Sequence, residues 1–179
     1  MSTGLLVAVV VLAAVCVLNL ALVLRLSTLV RRQGAARAAA DTPATLPAPG
    51  AALPAFAGVG ATGVPVSSAD LATGTVLVAF LSATCAPCRE SLPDLAATAT
   101  GLRETVPVVA VVSAPSHVDP ADMIAALAGS CAVIVADGYH DPRFAGFGVG
   151  NYPTFLRYDD GVLGAAAHLL PELALPVPA

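Results

Sequence analysis

Val76-Leu77-Val78-Ala79-Phe80-Leu81-Ser82-Ala83-Thr84-Cys85-Ala86-Pro87-Cys88 is the stretch that decides the fold. The run Val76–Leu81 is wholly apolar and rich in β-branched and aromatic residues, the pattern of a strand buried on both faces. Cys85-Ala86-Pro87-Cys88 follows directly and opens a helical pattern. A thiol at a helix N-terminus meets unpaired N–H groups and the positive end of the helix dipole, which favour its thiolate. Cys88 stands one turn on, within reach of a mixed disulfide at Cys85. This spacing points to disulfide exchange. A structural disulfide or half a zinc site are the competing readings, but structural zinc commonly takes two such pairs and no second pair exists. Haem attachment needs His where Arg89 stands.

The elements on either side extend the pattern. Phe56–Val59 and Val64–Val66, with glycines between, predict a short hairpin. A helix is expected from Ala86 to about Thr100, with Leu92, Leu95, Ala96 and Ala99 on one face, a kink at Pro93 and a stop at Gly101. Val106–Ser113 reads as a second buried strand. Asp119 then reads as a cap, with Pro120 in the first helical position and Met123, Ile124 and Leu127 facing inward. Cys131–Ala136 is a third strand, and Asp141-Pro142 repeats the cap signature. Thr154–Tyr158 and Val162–Ala166, joined through Asp159-Asp160-Gly161, form a closing hairpin. The order hairpin, βαβ, helix, strands predicts an α/β fold, a mixed sheet flanked by helices.

The chain of 179 residues is long enough for this domain and an N-terminal extension. Leu5 to Leu24 is 20 residues interrupted only by Cys16 and Asn19. Such a run spans the roughly 30 Å hydrocarbon layer as a helix. Residues 4–30 therefore read as a transmembrane helix with a basic juxtamembrane collar. A cleaved signal peptide would have a basic start, and Met1-Ser2-Thr3-Gly4 has none. Residues 31–54 read as an Ala/Pro-rich flexible linker, and residues 55–179 as the folded domain.

All eight basic residues are arginine. Arg25, Arg31, Arg32 and Arg37 follow the apolar run, where they suit anionic lipid headgroups of the bilayer. From Asp70 onward, four arginines face eleven carboxylates, which argues against nucleic-acid binding. The collar brings two arguments into conflict. The positive-inside rule places the C-terminal domain in the cytoplasm. A disulfide-exchange domain on a membrane stalk is useful outside, where disulfides persist. The expectation adopted is a single-pass cell-membrane protein with an extracytoplasmic domain.

With these motifs in place, the chain resembles the thioredoxin superfamily, and in particular its membrane-anchored TlpA/ResA/MauD-like branch. The resemblance runs from about Pro54 to Ala167. It rests on Phe56 with Gly63-Val64-Pro65-Val66, on Val76 to Cys88, and on Val149-Gly150-Asn151-Tyr152-Pro153-Thr154. The resemblance implies a thioredoxin-like fold and a thiol-disulfide oxidoreductase without a cofactor beyond its redox-active cysteines, and without a metal. Cys85 would be the nucleophile, Cys88 the resolving thiol and Pro153 a cis-proline facing them. Tyr152, Pro153 and Thr154 would bind substrate, and Ala86, Pro87 and Arg89 would support the thiolate. It also implies protein thiol/disulfide clients and a membrane electron donor, with MauD-like relatives hinting at a dedicated client. The Ala-Pro dipeptide resembles reducing members, so a reductase is expected.

Three positions depart from the pattern. Thr84 stands where the family often has an aromatic residue before the first cysteine. Ala79 stands where thioredoxins bury an Asp. Ser91 stands where the ResA/TlpA type carries a Glu, with Glu90 about 100° away on the helix. Water, Ser91 or a substrate group would then accept the resolving thiol's proton, and slower or substrate-selective turnover is expected. Two other classes remain open: a non-catalytic binding or assembly module, and a metallochaperone using both thiolates and His117. Cys131 is expected as a core thiol and His117 as a surface-loop residue.

Overall fold

The computed structural model describes residues 4, 5, 12 and 46–175. The chain divides into two units, Met1–Ala44 and Thr45–Ala179. Gly4, Leu5 and Leu12 are helical. The remainder of the expected span, the arginine collar and most of the expected linker lie outside the described residues. Among the described residues no helix is long and apolar enough to cross a membrane.

In the second unit, β1 (Ala57–Val59) and β2 (Pro65–Ser67) form the expected antiparallel hairpin. A five-stranded mixed sheet then contains β3 (Thr75–Ser82), β4 (Val108–Ala114), β5 (Ala132–Asp137), β6 (Thr154–Asp159) and β7 (Val162–Ala167). Its order is β5-β4-β3-β6-β7. The β3–β4 and β4–β5 pairs are parallel, while β6 is antiparallel to both β3 and β7. This is a thioredoxin-like α/β fold.

The central strand shows why a continuous apolar run was needed. Leu77, Ala79 and Leu81 enter one core with Leu95, Ala99, Met123 and Leu127 from the helices. Val76, Val78 and Phe80, on the opposite face, enter a second core with Phe56, Phe144 and Phe147. Alternation at period two thus buries both faces. Phe147 sits at the centre of the second core, 5.0 Å from Phe80 and 5.6 Å from Phe56 between ring centroids. Ala79, at the position of the family's buried Asp, is fully enclosed among apolar side chains.

Several boundaries differ from the sequence reading. The helix expected over Ala86–Thr100 is two helices, α1 (Ala86–Glu90) and α2 (Leu92–Leu102). Pro93 lies in the first turn of α2, where its missing N–H costs nothing, so the chain breaks at Ser91 instead of kinking. Gly101 does not stop the helix, which continues to Leu102 because that side chain is buried. Helix α3 (Ala121–Leu127) is capped by Pro120, while the Asp119 carboxylate accepts from the Ala121 N–H at 2.9 Å. Asp141 does cap a short 3-10 helix, Pro142–Phe147, which ends at left-handed Gly148. The segment around residues 50–53, read as linker, pairs with the sheet edge. The Gly50 N–H donates to Leu163 O at 2.8 Å and the Leu53 N–H to Gly161 O at 2.7 Å. Backbone pairing of this kind needs no side-chain signature, so Ala, Pro and Gly concealed it.

Candidate active site

The topology gathers the site. Because β3, β4 and β5 are parallel and β6 runs against β3, the residues after β3, β4 and β5 meet those before β6 at one sheet edge. Cys85 and Cys88 follow β3, Ser113 is the penultimate residue of β4, Tyr139 follows β5, and Tyr152-Pro153 precede β6.

Cys85 is the N-cap of α1, and its sulfur accepts the Cys88 N–H at 3.3 Å. It is half-buried, and as a thiol it donates to Tyr152 O at 3.5 Å. Cys88 is fully buried, its sulfur accepting the Ser82 N–H at 3.4 Å. The Cys85 pKa is lowered from 9.0 to about 7, first by the hydrogen bond from the Cys88 side chain and also by the Cys88 N–H. Burial and the Glu90 charge oppose that shift. Cys88 is pushed strongly upward, first by the same hydrogen bond to Cys85 and then by burial. An accessible, ionisable sulfur therefore lies over a buried, protonated one.

The Tyr152–Pro153 peptide is cis, and Tyr152 presents its carbonyl to Cys85. Burial raises the Tyr152 phenol. The Thr154 side chain is buried and turned inward, donating to Asn151 O at 2.8 Å. His168 Nδ1 lies 2.7 Å from Pro153 O, and since a carbonyl only accepts, Nδ1 carries the proton there. Thr154 and His168 thus brace the cis-proline segment from behind. Beside it runs a groove of about 450 Å³ lined by Pro87, Glu90, Tyr152, Pro153, Leu169 and other residues.

Ala86 and Pro87 form the exposed first turn of α1. The Arg89 guanidinium donates to Ala83 O at 2.9 Å, tying α1 to the loop before Cys85. The Ser91 hydroxyl donates to Cys88 O at 2.8 Å. His117 is exposed in the turn between β4 and α3. Cys131 is half-buried before β5, its thiol raised to about 11 by burial. Among the described residues no group of three His, Cys, Asp or Glu side chains is placed to hold a metal ion.

Sequence reasoning passed over Tyr139 and Ser82. The Tyr139 hydroxyl meets Thr84 Oγ1 and accepts from Ser82 Oγ at 3.2 Å, and its ring lies 5.6 Å from that of Tyr152. The available signal was topological: an aromatic residue just past a parallel strand falls on the same sheet edge as the cysteines.

A thioredoxin-like fold that carries this sulfur pair at its sheet edge defines the class: the protein is a thiol-disulfide oxidoreductase. The chain belongs to the Redoxin family, whose model matches residues 48–144. Among solved structures, it is similar to a Chlorobium tepidum protein described as a thiol:disulfide interchange protein DsbE. That match has 26% identity and a TM-score of 0.57, covering 66% of this chain and 84% of that one. The exposed lipoprotein thioredoxin of Streptococcus pneumoniae matches at 26% identity and TM-score 0.53, covering 65% and 90%. The thioredoxin domain of a Bacteroides vulgatus thiol-disulfide oxidoreductase, at 22% identity and TM-score 0.58, covers 67% and 88% and shares the fold. Comparison with curated proteins found no match.

Proposed function

We propose that this protein is a membrane-tethered reductase of protein disulfides, with Cys85 as nucleophile and Cys88 as resolving thiol. One observation carries the reading: a half-exposed sulfur titrating at about 7 rests against a fully buried partner. The Cys85 thiolate attacks one sulfur of a client disulfide, forming a mixed disulfide and expelling the other client sulfur as thiolate. Cys88 then loses its proton and attacks Cys85. The Cys85–Cys88 disulfide forms, the second client thiolate leaves, and the client has gained two electrons. A thiol donor at the membrane then supplies a second electron pair, reducing the Cys85–Cys88 disulfide and becoming oxidised itself.

The resolving step fits the pair's coupling. The largest influence holding Cys88 protonated is its hydrogen bond to Cys85. Mixed-disulfide formation consumes the Cys85 thiolate and removes that influence at the step where Cys88 must ionise. Water, the Ser91 hydroxyl or a departing client thiolate takes the proton.

The reducing direction is supported by the modest acidity of Cys85. Thioredoxin's thiol titrates near about 7, whereas the strong oxidant DsbA holds its thiolate near about 3.5. The tether is supported by the apolar length of Leu5–Leu24. That a structurally similar pneumococcal thioredoxin is an exposed lipoprotein agrees with an outward-facing domain.

The test is mixed-disulfide trapping with the full chain. Cys88→Ser should accumulate a Cys85-linked adduct with a protein disulfide such as insulin, and Cys85→Ala should form none. An adduct that forms equally without Cys85 would overturn the assignment. Equilibration with glutathione buffers reads the direction, and an equilibrium as oxidising as DsbA's would reverse it. A membrane-impermeant maleimide applied to intact cells reads topology, labelling before lysis supporting an outward domain.

A further inference from the structure

Thr84 leaves the nucleophile without an aromatic neighbour in sequence. The fold supplies one from elsewhere. Tyr139 lies 55 residues further on, yet its hydroxyl meets Thr84 Oγ1 and accepts from Ser82 Oγ at 3.2 Å. Its ring lies 5.6 Å from that of Tyr152, the residue whose carbonyl accepts from the Cys85 thiol. Even so, 45% of Tyr139 is exposed.

The mount is rigid on both sides. Before Tyr139, Gly138 turns the chain at φ +70°, its N–H donating to Ala114 O at 3.2 Å. Its carbonyl accepts from Ser113 Oγ at 2.5 Å. After His140, the Asp141 carboxylate accepts the Asp137 N–H at 2.9 Å and pairs with Arg143 at 2.5 Å. An exposed aromatic held at its hydroxyl and at both backbone flanks has little conformational freedom left to lose when a partner packs on it. Nothing in core packing requires this exposed ring to stand against Thr84 and Tyr152, the residues that flank Cys85 in sequence and in space.

We infer that Tyr139, with Tyr152, forms an aromatic wall that selects peptide disulfides carrying an apolar side chain next to the attacked cysteine. The inference rests on the disulfide-exchange reading above and adds the substrate class. Tyr139 is a specificity residue and takes no part in sulfur chemistry. An apolar side chain against the wall buries area on a surface that is already ordered, at a cost small disulfides cannot recover.

The test uses the reduced full chain and two disulfide peptides that differ only in Leu or Ser beside the cysteine. Second-order exchange should favour the leucine peptide by about three- to tenfold, the range that partial burial of a leucine side chain supplies. Tyr139→Ala should bring that ratio close to one, while Cys85 keeps its titration midpoint. A ratio unchanged in Tyr139→Ala overturns the inference. So does an equal loss with both peptides accompanied by a shifted midpoint, which assigns Tyr139 to supporting the thiolate. Tyr139→Trp provides a second readout that does not depend on the alanine variant folding. The chain contains no other tryptophan. In a Cys88→Ser background, trapping the leucine peptide on Cys85 should shift the indole emission to the blue and shield it from acrylamide. Unchanged emission in the trapped complex refutes the wall. Failure of the unsubstituted protein to exchange with either peptide or with cystamine would instead sink the underlying enzyme assignment.

Discussion

Replacing Cys88 with alanine should move the titration of Cys85 from about 7 toward its ordinary 9.0, because the largest influence lowering it is the Cys88 side chain. The kinetic consequence can be worked out. At pH 7 the thiolate population falls about fiftyfold, from roughly half to about 1%. The remaining thiolate is more basic, and a Brønsted slope of about 0.4–0.5 makes it about six- to tenfold more nucleophilic. Alkylation of Cys85 at pH 7 therefore slows by only about five- to eightfold. Above about pH 10, where both proteins are ionised, the variant reacts faster by the same six- to tenfold factor. The two pH profiles cross near about pH 8. Iodoacetamide labelling of the reduced protein, followed by mass from pH 5 to 11, reads both limbs. Cys88→Ser retains a donor and should fall between the two. A midpoint that stays near 7 in Cys88→Ala would refute the reasoning and assign the thiolate to the peptide N–H and helix end.

Further predictions concern three scaffold positions. Phe147→Ala empties the centre of the five-ring cluster and should lower stability by about 3–5 kcal/mol, read as a shifted urea midpoint. Asp141→Ala removes the acceptor for the Asp137 and Arg143 N–H groups and should cost about 2 kcal/mol. The ion pair itself adds little to that figure, because the Arg143 side chain is 41% exposed. The Arg143 hydrogen bonds hold the Asp141 carboxyl well below the ordinary carboxylate range, so its contribution is full above that range and is lost progressively as pH falls below it toward the depressed native value. Asp141→Asn should flatten this acid limb of the stability curve. Gly161 adopts φ +75°, and a Cβ there would meet Ala72 O at 3.2 Å. Gly161→Ala should therefore cost at least about 1–2 kcal/mol in thermal or urea unfolding.

What could be read in advance follows the range of each interaction. The unbroken apolar run from Val76 to Leu81 specified a doubly buried strand, and Asp141-Pro142 specified a capped turn, because those signals are local. The helix break at Ser91 was hidden because Pro93 is compatible with either a kink or a new first turn. Packing of Leu95, Ala99 and Leu102 against the sheet chose the second. Pairing at residues 50–53 was hidden because it is made by backbone groups alone.

The site divides in the same way. The sequence alone determined that Cys85 and Cys88 lie one turn apart after a buried strand, since strand periodicity and helical rise place them without reference to any distant residue. Only the tertiary structure decided what surrounds them. It set the Tyr152 carbonyl on Cys85, buried Cys88 beneath the Ser82 N–H, and brought Tyr139 to the place that Thr84 leaves without an aromatic. Tyr139 and Tyr152 are 55 and 67 residues from their partners along the chain. Sheet order and strand direction bring such residues together, and no local pattern encodes them.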